Sequence, residues 1–136
     1  MFGMPGVPAV YYGSEWGENG SKQAGSDAVL RPEIALPQWN ELSDWIAVLA
    51  KAHRESKALC YGSYRNVVLT NRQLIFERKT DTERVLVAIN ADAQPYTAHF
   101  DAGCGLAQDL LTGKTHDFGG GSELAPYSAQ YWKMER

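Results

Sequence analysis

Glu15 is the carboxylate whose neighbours best suit it to acid–base work, because it follows a short apolar run, Val7 to Tyr12, at a glycine turn. A carboxyl held just beyond the end of a buried strand could act as an acid. The other reading is a carboxylate that only supports its own loop. Asp27 and Arg31 lie close together in a polar stretch and, taken alone, read as a solvated pair of opposite charge, worth little. His53, His99 and His116 are far apart without ligand spacing, so no metal site is expected. His53, near the end of a helical segment, reads as a surface or dipole-stabilised residue rather than a functional base. Cys60 and Cys104 sit in no Cys-x-x-Cys or histidine-rich spacing and read as reduced, partly buried thiols, a disulfide between them staying open. There is no glycine-rich phosphate loop and no nucleophile elbow, and no cofactor is expected.

The elements that must position these residues begin with that apolar run. Pro5-Gly6 punctuates its start and Gly13 its end, which predicts a buried strand between two turns. Strands apolar on both faces belong to parallel sheets covered by helices. No second strand of that kind follows in the next stretch, so this one lacks a partner. Either it finds an unusual partner or the chain is a piece of something larger. Its open edge would invite association, so it is expected to pair with a second copy or to dock on the rest of the chain.

Met4-Pro5-Gly6-Val7-Pro8, then Tyr11-Tyr12-Gly13, then Glu15 and Gly17, resemble the last barrel strand and following loop of the alpha-amylase family, glycoside hydrolase family 13. The usual pattern there is Met-Pro-Gly-x-Pro, two aromatics, Gly-Asp-Glu, an apolar residue and Gly. Ser14 departs from it, standing where aspartate is usual, and Trp16 fills the apolar place. Cyclomaltodextrinases and neopullulanases carry an Asp, a short spacer and an Arg-x-Pro or Arg-Arg-Pro run in the loop that follows; Asp27 and Arg31-Pro32 resemble it, which makes these enzymes the nearest members. The motif is specific at the front of the chain, and the rest agrees in the order of its elements.

Bulk numbers agree with a folded protein. The chain has 136 residues, 44% hydrophobic and 21% charged, enough for one ordinary domain with its own core. A net charge of -3 without a basic run argues against nucleic acid as a partner. No apolar segment approaches the roughly 20 residues needed to span a bilayer, so no membrane partner is expected. Prolines 5 and 8 and the lack of a basic start argue against a signal peptide. A cytoplasmic location is the expectation.

From Glu18 to Pro37 the composition is rich in Gly, Ser, Asn, Asp and Pro, which predicts a long loop, and a long loop needs a reason. Asn40 is a good helix N-cap, with Glu41 and Asp44 in the first turn. Leu42, Trp45, Ile46 and Leu49 then form one apolar stripe. After Lys57 the period becomes two. Strands are predicted over Tyr64–Thr70, Gln73–Lys79, Arg84–Asn90, Tyr96–Phe100, Ala107–Leu111, Thr115–Phe118, Ser122–Ala125 and Ser128–Met134, with turns between them. Short strands at this spacing signal a sandwich of antiparallel sheets, often Greek-key. Tyr127, Tyr131 and Trp132 suit either a carbohydrate platform or core packing.

The fold class is therefore mainly β: an antiparallel Greek-key sandwich of the amylase domain C type. The resemblance implies that the last β-strand, loop and α-helix of a (β/α)8 barrel precede it. Residues 1–58 would be the end of the barrel and 59–136 the sandwich. The long loop would line the substrate cleft, Asp27 and Arg31 would hydrogen-bond sugar hydroxyls, and Glu15 would support the loop. The retaining chemistry of the family needs a carboxylate nucleophile and a carboxylic acid/base on earlier barrel strands. None of the carboxylates here lies in those motifs, so no catalytic residue is assigned. The reading that results is a catalytically incomplete C-terminal segment of an enzyme acting on alpha-glucans or maltooligosaccharides, by hydrolysis or transglycosylation. A stand-alone carbohydrate-binding sandwich, with Tyr127, Tyr131 and Trp132 as its platform, is the alternative. A structural module without ligand is a third.

Overall fold

The computed structural model describes residues 1–21, 25–34 and 36–134. Its elements are helices α1 (Glu41–Glu55) and α2 (Lys57–Tyr61), followed by strands β1 (Ser63–Leu69), β2 (Gln73–Lys79), β3 (Arg84–Asn90), β4 (Tyr96–Ala98), β5 (Leu106–Asp109), β6 (Thr115–Asp117), β7 (Ser122–Leu124) and β8 (Ser128–Met134). All pairings are antiparallel. Six strands form one sheet in the order β1-β2-β3-β8-β5-β6, and β4 and β7 form a second.

The large sheet is covered on both faces. On one face Ile75, Leu86, Ala88, Trp132 and Met134 pack with Ala98 and Leu124 of the small sheet. On the other, Phe76, Val85, Val87 and Tyr131 pack with Ala52 of α1 and with Ala58 and Leu59 of α2. This is why β2 and β3 are apolar at successive positions and not only at alternate ones. Asn90, 1% exposed, ties the two sheets together. Its Nδ2 donates to the carbonyls of Gln94, Leu124 and Ala125 at 2.8, 3.3 and 3.1 Å.

Asn40 caps α1 as expected, its Oδ1 accepting from the Leu42 and Ser43 amides at 3.0 and 3.2 Å. The predicted stripe is only partly covered. Leu49 joins the helix-side core, but Leu42 and Trp45 remain 43% and 57% exposed. The helix buries Ser43 and Ala52 instead: residues 14–16 lie against its first turn on the Ser43 side, and the described chain leaves Leu42 and Trp45 open. Helix α2 was not expected. It starts at Ser56, whose Oγ accepts from the Leu59 amide at 3.1 Å and is itself held by the Glu83 carboxylate. A serine cap ahead of the apolar pair Ala58-Leu59 was the available signal. Cys60 and Cys104 are both free thiols.

Two titratable groups of the large sheet, Glu77 and His116, are shifted by their surroundings. Burial alone would raise the Glu77 carboxyl, but hydrogen bonds from Arg65 and Arg84 outweigh it and hold the group below its ordinary range. Burial lowers the His116 imidazole, against the opposite pull of Asp109 and Asp117. His116 stacks on Trp132 with ring centres 4.2 Å apart, and its Nε2 lies 2.9 Å from the Ser122 hydroxyl. The fold thus disfavours imidazolium. Stability from this histidine is complete above its ordinary value of about 6.5 and is lost as pH falls through the lower folded value. Glu77 adds a loss of the same sign at lower pH. The urea midpoint is therefore expected to fall between pH 7.5 and 5.5, and His116→Gln to flatten that fall; a midpoint that rises with acid would contradict this.

Candidate functional site

The N-terminal segment is fastened at its beginning and open further on. Phe2 is buried, and the His53 Nδ1 lies 2.7 Å from its carbonyl oxygen. Arg78, 1% exposed, donates through Nη1 to the Gly3 carbonyl at 2.8 Å and through Nη2 to Gly62 at 2.9 Å. Its guanidinium gathers the segment, the end of α2 and β2 at one point, with burial lowering its pKa. His53 is accordingly tied to the N-terminal segment rather than free at the surface.

The predicted strand does not form. Residues 7–12 have no strand pairing, and Val7 and Tyr11 are 93% and 58% exposed. The sequence pattern asks for cover on both faces, and the described chain supplies no neighbouring strand and no helix over this run. Without ladder partners an apolar run has no reason to hold sheet geometry. The run does not dock on the sandwich either; only Phe2 and Gly3 do.

Beyond it the chain turns sharply. The Ser14 amide donates to the Tyr11 carbonyl at 3.0 Å and the Glu18 amide to Gly13 at 2.9 Å, enclosing a short 3-10 turn, Ser14–Trp16. The N-terminus of α1 holds this turn. Ser43 Oγ donates to the Glu15 carbonyl at 2.7 Å and Asn40 Nδ2 to the Trp16 carbonyl at 3.0 Å. Glu15 is thus positioned through its backbone. Its Oε2 is enclosed without a hydrogen-bond partner, and so is the neighbouring Trp16 Nε1.

Part of the long loop, residues 22–24 and 35, lies outside the described residues. The rest folds back on the turn. A Cβ on Gly13 would stand 2.9 Å from Ile34 Cδ1, and one on Gly20 only 2.4 Å from the Val29 carbonyl oxygen. Asp27 opens a second 3-10 turn, Ala28–Leu30, and Arg31 closes it, so both are exposed at the two ends of one turn. Burial and Tyr11 raise the Tyr12 phenol, while the charge of Arg31 pulls it down. Tyr11 and Tyr12 are exposed neighbours with ring centres 4.7 Å apart.

The result is a small surface of two phenol rings and a guanidinium, with Asp27 across the same turn. Flat ring faces can take the C–H face of a ligand, and a guanidinium donates to its oxygens. Sequence reasoning singled out Asp27, Arg31 and Glu15, and used Tyr11 and Tyr12 as strand and motif residues without joining them to Arg31. The arrangement holds no pair of carboxylates facing a common space, as glycoside cleavage would require. Among the described residues there is no group of three or more His, Cys, Asp or Glu that could hold a metal.

The C-terminal aromatics are not a platform. Tyr131 and Trp132 are 4% and 1% exposed, one in each core, because alternation along β8 sends them to opposite faces. Tyr127 alone is at the surface, 74% exposed.

No family model matches the chain. It is 32% identical over 117 residues to a cyclomaltodextrin glucanotransferase of Bacillus sp. (strain 38-2), covering 85% of the chain and 15% of that protein. Against the enzyme of the same name from Klebsiella oxytoca it is 31% identical over 91 residues, covering 62% of the chain and 14% of that protein. The chain corresponds to the C-terminal portion of alpha-amylase-family enzymes, glycoside hydrolase family 13. Among solved structures of the family, an Anoxybacillus alpha-amylase superposes over 97% of the chain and 30% of its own, with a TM-score of 0.85 and 22% identity. A three-domain cyclomaltodextrin glucanotransferase, CldA, covers 99% of the chain and 30% of its own, with a TM-score of 0.81 and 24% identity. The mainly antiparallel fold thus matches the C-terminal β-sandwich of these enzymes. AmyP, solved with maltose, covers 68% of the chain and 20% of its own, with a TM-score of 0.62 and 25% identity. The chain therefore spans about one seventh of the curated relatives it matches.

A methyl group at Gly20 meets backbone, not a flexible side chain, so Gly20→Ala must part the loop from residue 29. The variant is expected to lose about 1–3 kcal/mol of local stability, read as faster proteolytic cutting between residues 20 and 34 with the sandwich intact. Unchanged cleavage there would show that the loop is not closed by this contact.

Proposed function

We propose that this chain is the C-terminal segment of a retaining alpha-amylase-family enzyme acting on alpha-glucans, catalytically incomplete by itself. Residues 1–58 would complete a catalytic barrel and 59–136 would form the supporting sandwich. The observation that carries the proposal is the uncovered N-terminal half. Val7 to Tyr12 keep a two-sided apolar pattern without a sheet, Leu42 and Trp45 stay exposed, and Glu15 Oε2 and Trp16 Nε1 lack partners. Each of these needs neighbours that the described chain does not supply, and the small share of its relatives' length agrees with that.

In such an enzyme Arg31 and Asp27 would bind sugar hydroxyls, with Tyr11 and Tyr12 offering their ring faces. Glu15 would hold the loop on α1. The nucleophile and the acid/base would come from the remainder of the barrel, and the outcome would be hydrolysis or transglycosylation. AmyP binds maltose and, as a variant, maltotriose, which favours alpha-linked glucose oligomers as the ligand class. Self-association through the open apolar run belongs to the same proposal, since an unpaired run of this kind seeks edges.

Incubated alone with maltoheptaose and with cyclodextrins, the chain is expected to release no product over long times. Turnover at any rate above that of a Glu15→Gln control would overturn the incomplete-enzyme reading. Light scattering on a size-exclusion column is expected to show concentration-dependent association that Val10→Lys abolishes; a monomer at all concentrations would remove the self-association part.

A further inference from the structure

Strand β8 is left open along part of one edge. Tyr131 turns its backbone toward β5, where its amide donates to Asp109 Oδ1 at 3.0 Å and its carbonyl accepts from the Leu110 amide at 2.7 Å. Hydrogen-bonding direction repeats at every second residue of a strand, so Ala129 points its own amide and carbonyl the same way. The ladder stops before it, since β5 pairs with β8 only at Trp132, Lys133 and Met134. The turn between β5 and β6 begins there, and a cleft of about 330 Å³ lies between that turn and Ala129. Its walls come from residues 109–116 and 129–132, none of them from the N-terminal half. The cleft is therefore no part of the surface at residues 7–12, Leu42 and Trp45 that the proposed barrel would cover.

The walls are preset. His116 stacks on Trp132 with ring centres 4.2 Å apart, meets Phe118 edge-on at 4.7 Å and has its Nε2 2.9 Å from Ser122 Oγ. Asp109, 6% exposed, uses its charge inside the fold. Its Oδ1 accepts from the Leu111 and Tyr131 amides, and its Oδ2 from the Thr112 hydroxyl at 2.6 Å. One group is left over. Gln130 Oε1 is enclosed and accepts no hydrogen bond among the described residues. Buried acceptors are rarely left unanswered in a folded protein.

These groups select against charge. A cation would find the Asp109 carboxylate already engaged and the Lys114 ammonium opposed to it. An anion would have to sit beside that carboxylate and would offer Gln130 Oε1 no donor. A neutral ligand with several hydroxyls answers every group. It can donate to Gln130 Oε1 and the Ala129 carbonyl, and accept from the Ala129 amide and the Lys114 ammonium. A peptide strand would need a longer edge than residues 128–130 offer. The volume lies at the small end of ligand sites.

We infer that the cleft between the β5–β6 turn and the open edge of β8 binds a neutral, hydroxyl-rich ligand the size of one sugar ring, with Gln130 as its central contact. This site is separate from the surface of Tyr11, Tyr12 and Arg31. Only glucose as the first ligand to try rests on the proposed function; the chemistry of the cleft asks for a polyol.

The test is an amide-resolved NMR titration of the intact chain with glucose, with myo-inositol and with inorganic phosphate. Glucose or inositol is expected to give saturable shifts at residues 112–116 and 129–130. Gln130→Met keeps the length of the side chain and removes the acceptor, and is expected to weaken that binding about fivefold or more. Its melting temperature should stay level or rise, because a buried acceptor without a partner is gone, whereas a merely structural Gln130 would lose stability instead. No shift in the cleft with either polyol, shifts there with phosphate alone, or equal affinity in Gln130→Met would each overturn the inference. Inositol binding without glucose binding would keep the cleft site and remove its link to the proposed substrate. Shifts at residues 11, 12 and 31 report the loop surface separately, so either proposal can fail while the other stands.

Discussion

Strands β2 and β3 must bury both of their faces, and the rest of the chain is arranged around that requirement. A sheet covered on one side only could alternate apolar with polar residues. Here Phe76, Val85 and Val87 face the helices while Ile75, Leu86 and Ala88 face the small sheet, all of them fully buried. Two covers are needed, so α1 and α2 arrive from one end of the sequence and β4 and β7 from the other. Charge enters the central strands only where it is answered: Glu77 between Arg65 and Arg84, and Arg78 against two backbone carbonyls.

Arg78 links this packing to function. Among the described residues it is a buried cation without a carboxylate partner, which is a costly choice unless its donors are well used. They fix Gly3 and Gly62, so the sandwich side of the molecule sets where the N-terminal segment begins. His53 repeats the same service one residue earlier, at Phe2. From there the segment runs uncovered to a turn that Asn40 and Ser43 fasten to α1. The exposed surface of Tyr11, Tyr12 and Arg31 thus hangs between two anchors, both supplied by elements whose main work is to cover the large sheet. In the proposed enzyme this would be how the sandwich influences substrate contacts that it does not itself make.

Much of this was legible in the sequence, and the failures have physical reasons. Residues 73–79, 84–90 and 128–134 could be read as strands to their observed limits, because long apolar runs and polar turns agreed there. Asn40 announced α1 by its chemistry. The run from Val7 to Tyr12 was read as a strand from a pattern that is real, yet a strand exists only with ladder partners. The stripe of Leu42 and Trp45 failed in the same way: periodicity shows which face wants cover, not whether cover is present. Tyr131 and Trp132 were ambiguous because adjacent aromatics on a strand buried on both sides look like a surface platform.

The central claim is that residues 7–12 carry the pattern of a strand but lack its neighbours, and lie open between one anchor at residues 2–3 and another at residues 15–16. Hydrogen exchange read by mass spectrometry measures this directly. The account predicts that amides of residues 9–12 exchange within seconds while those of β2, β3 and β8 are protected for hours. It also predicts that a barrel portion from a cyclomaltodextrin glucanotransferase relative, added in trans, slows exchange at residues 9–12. Strong protection of those amides in the chain alone would contradict it, since the segment would then already have the partners that the account says it lacks.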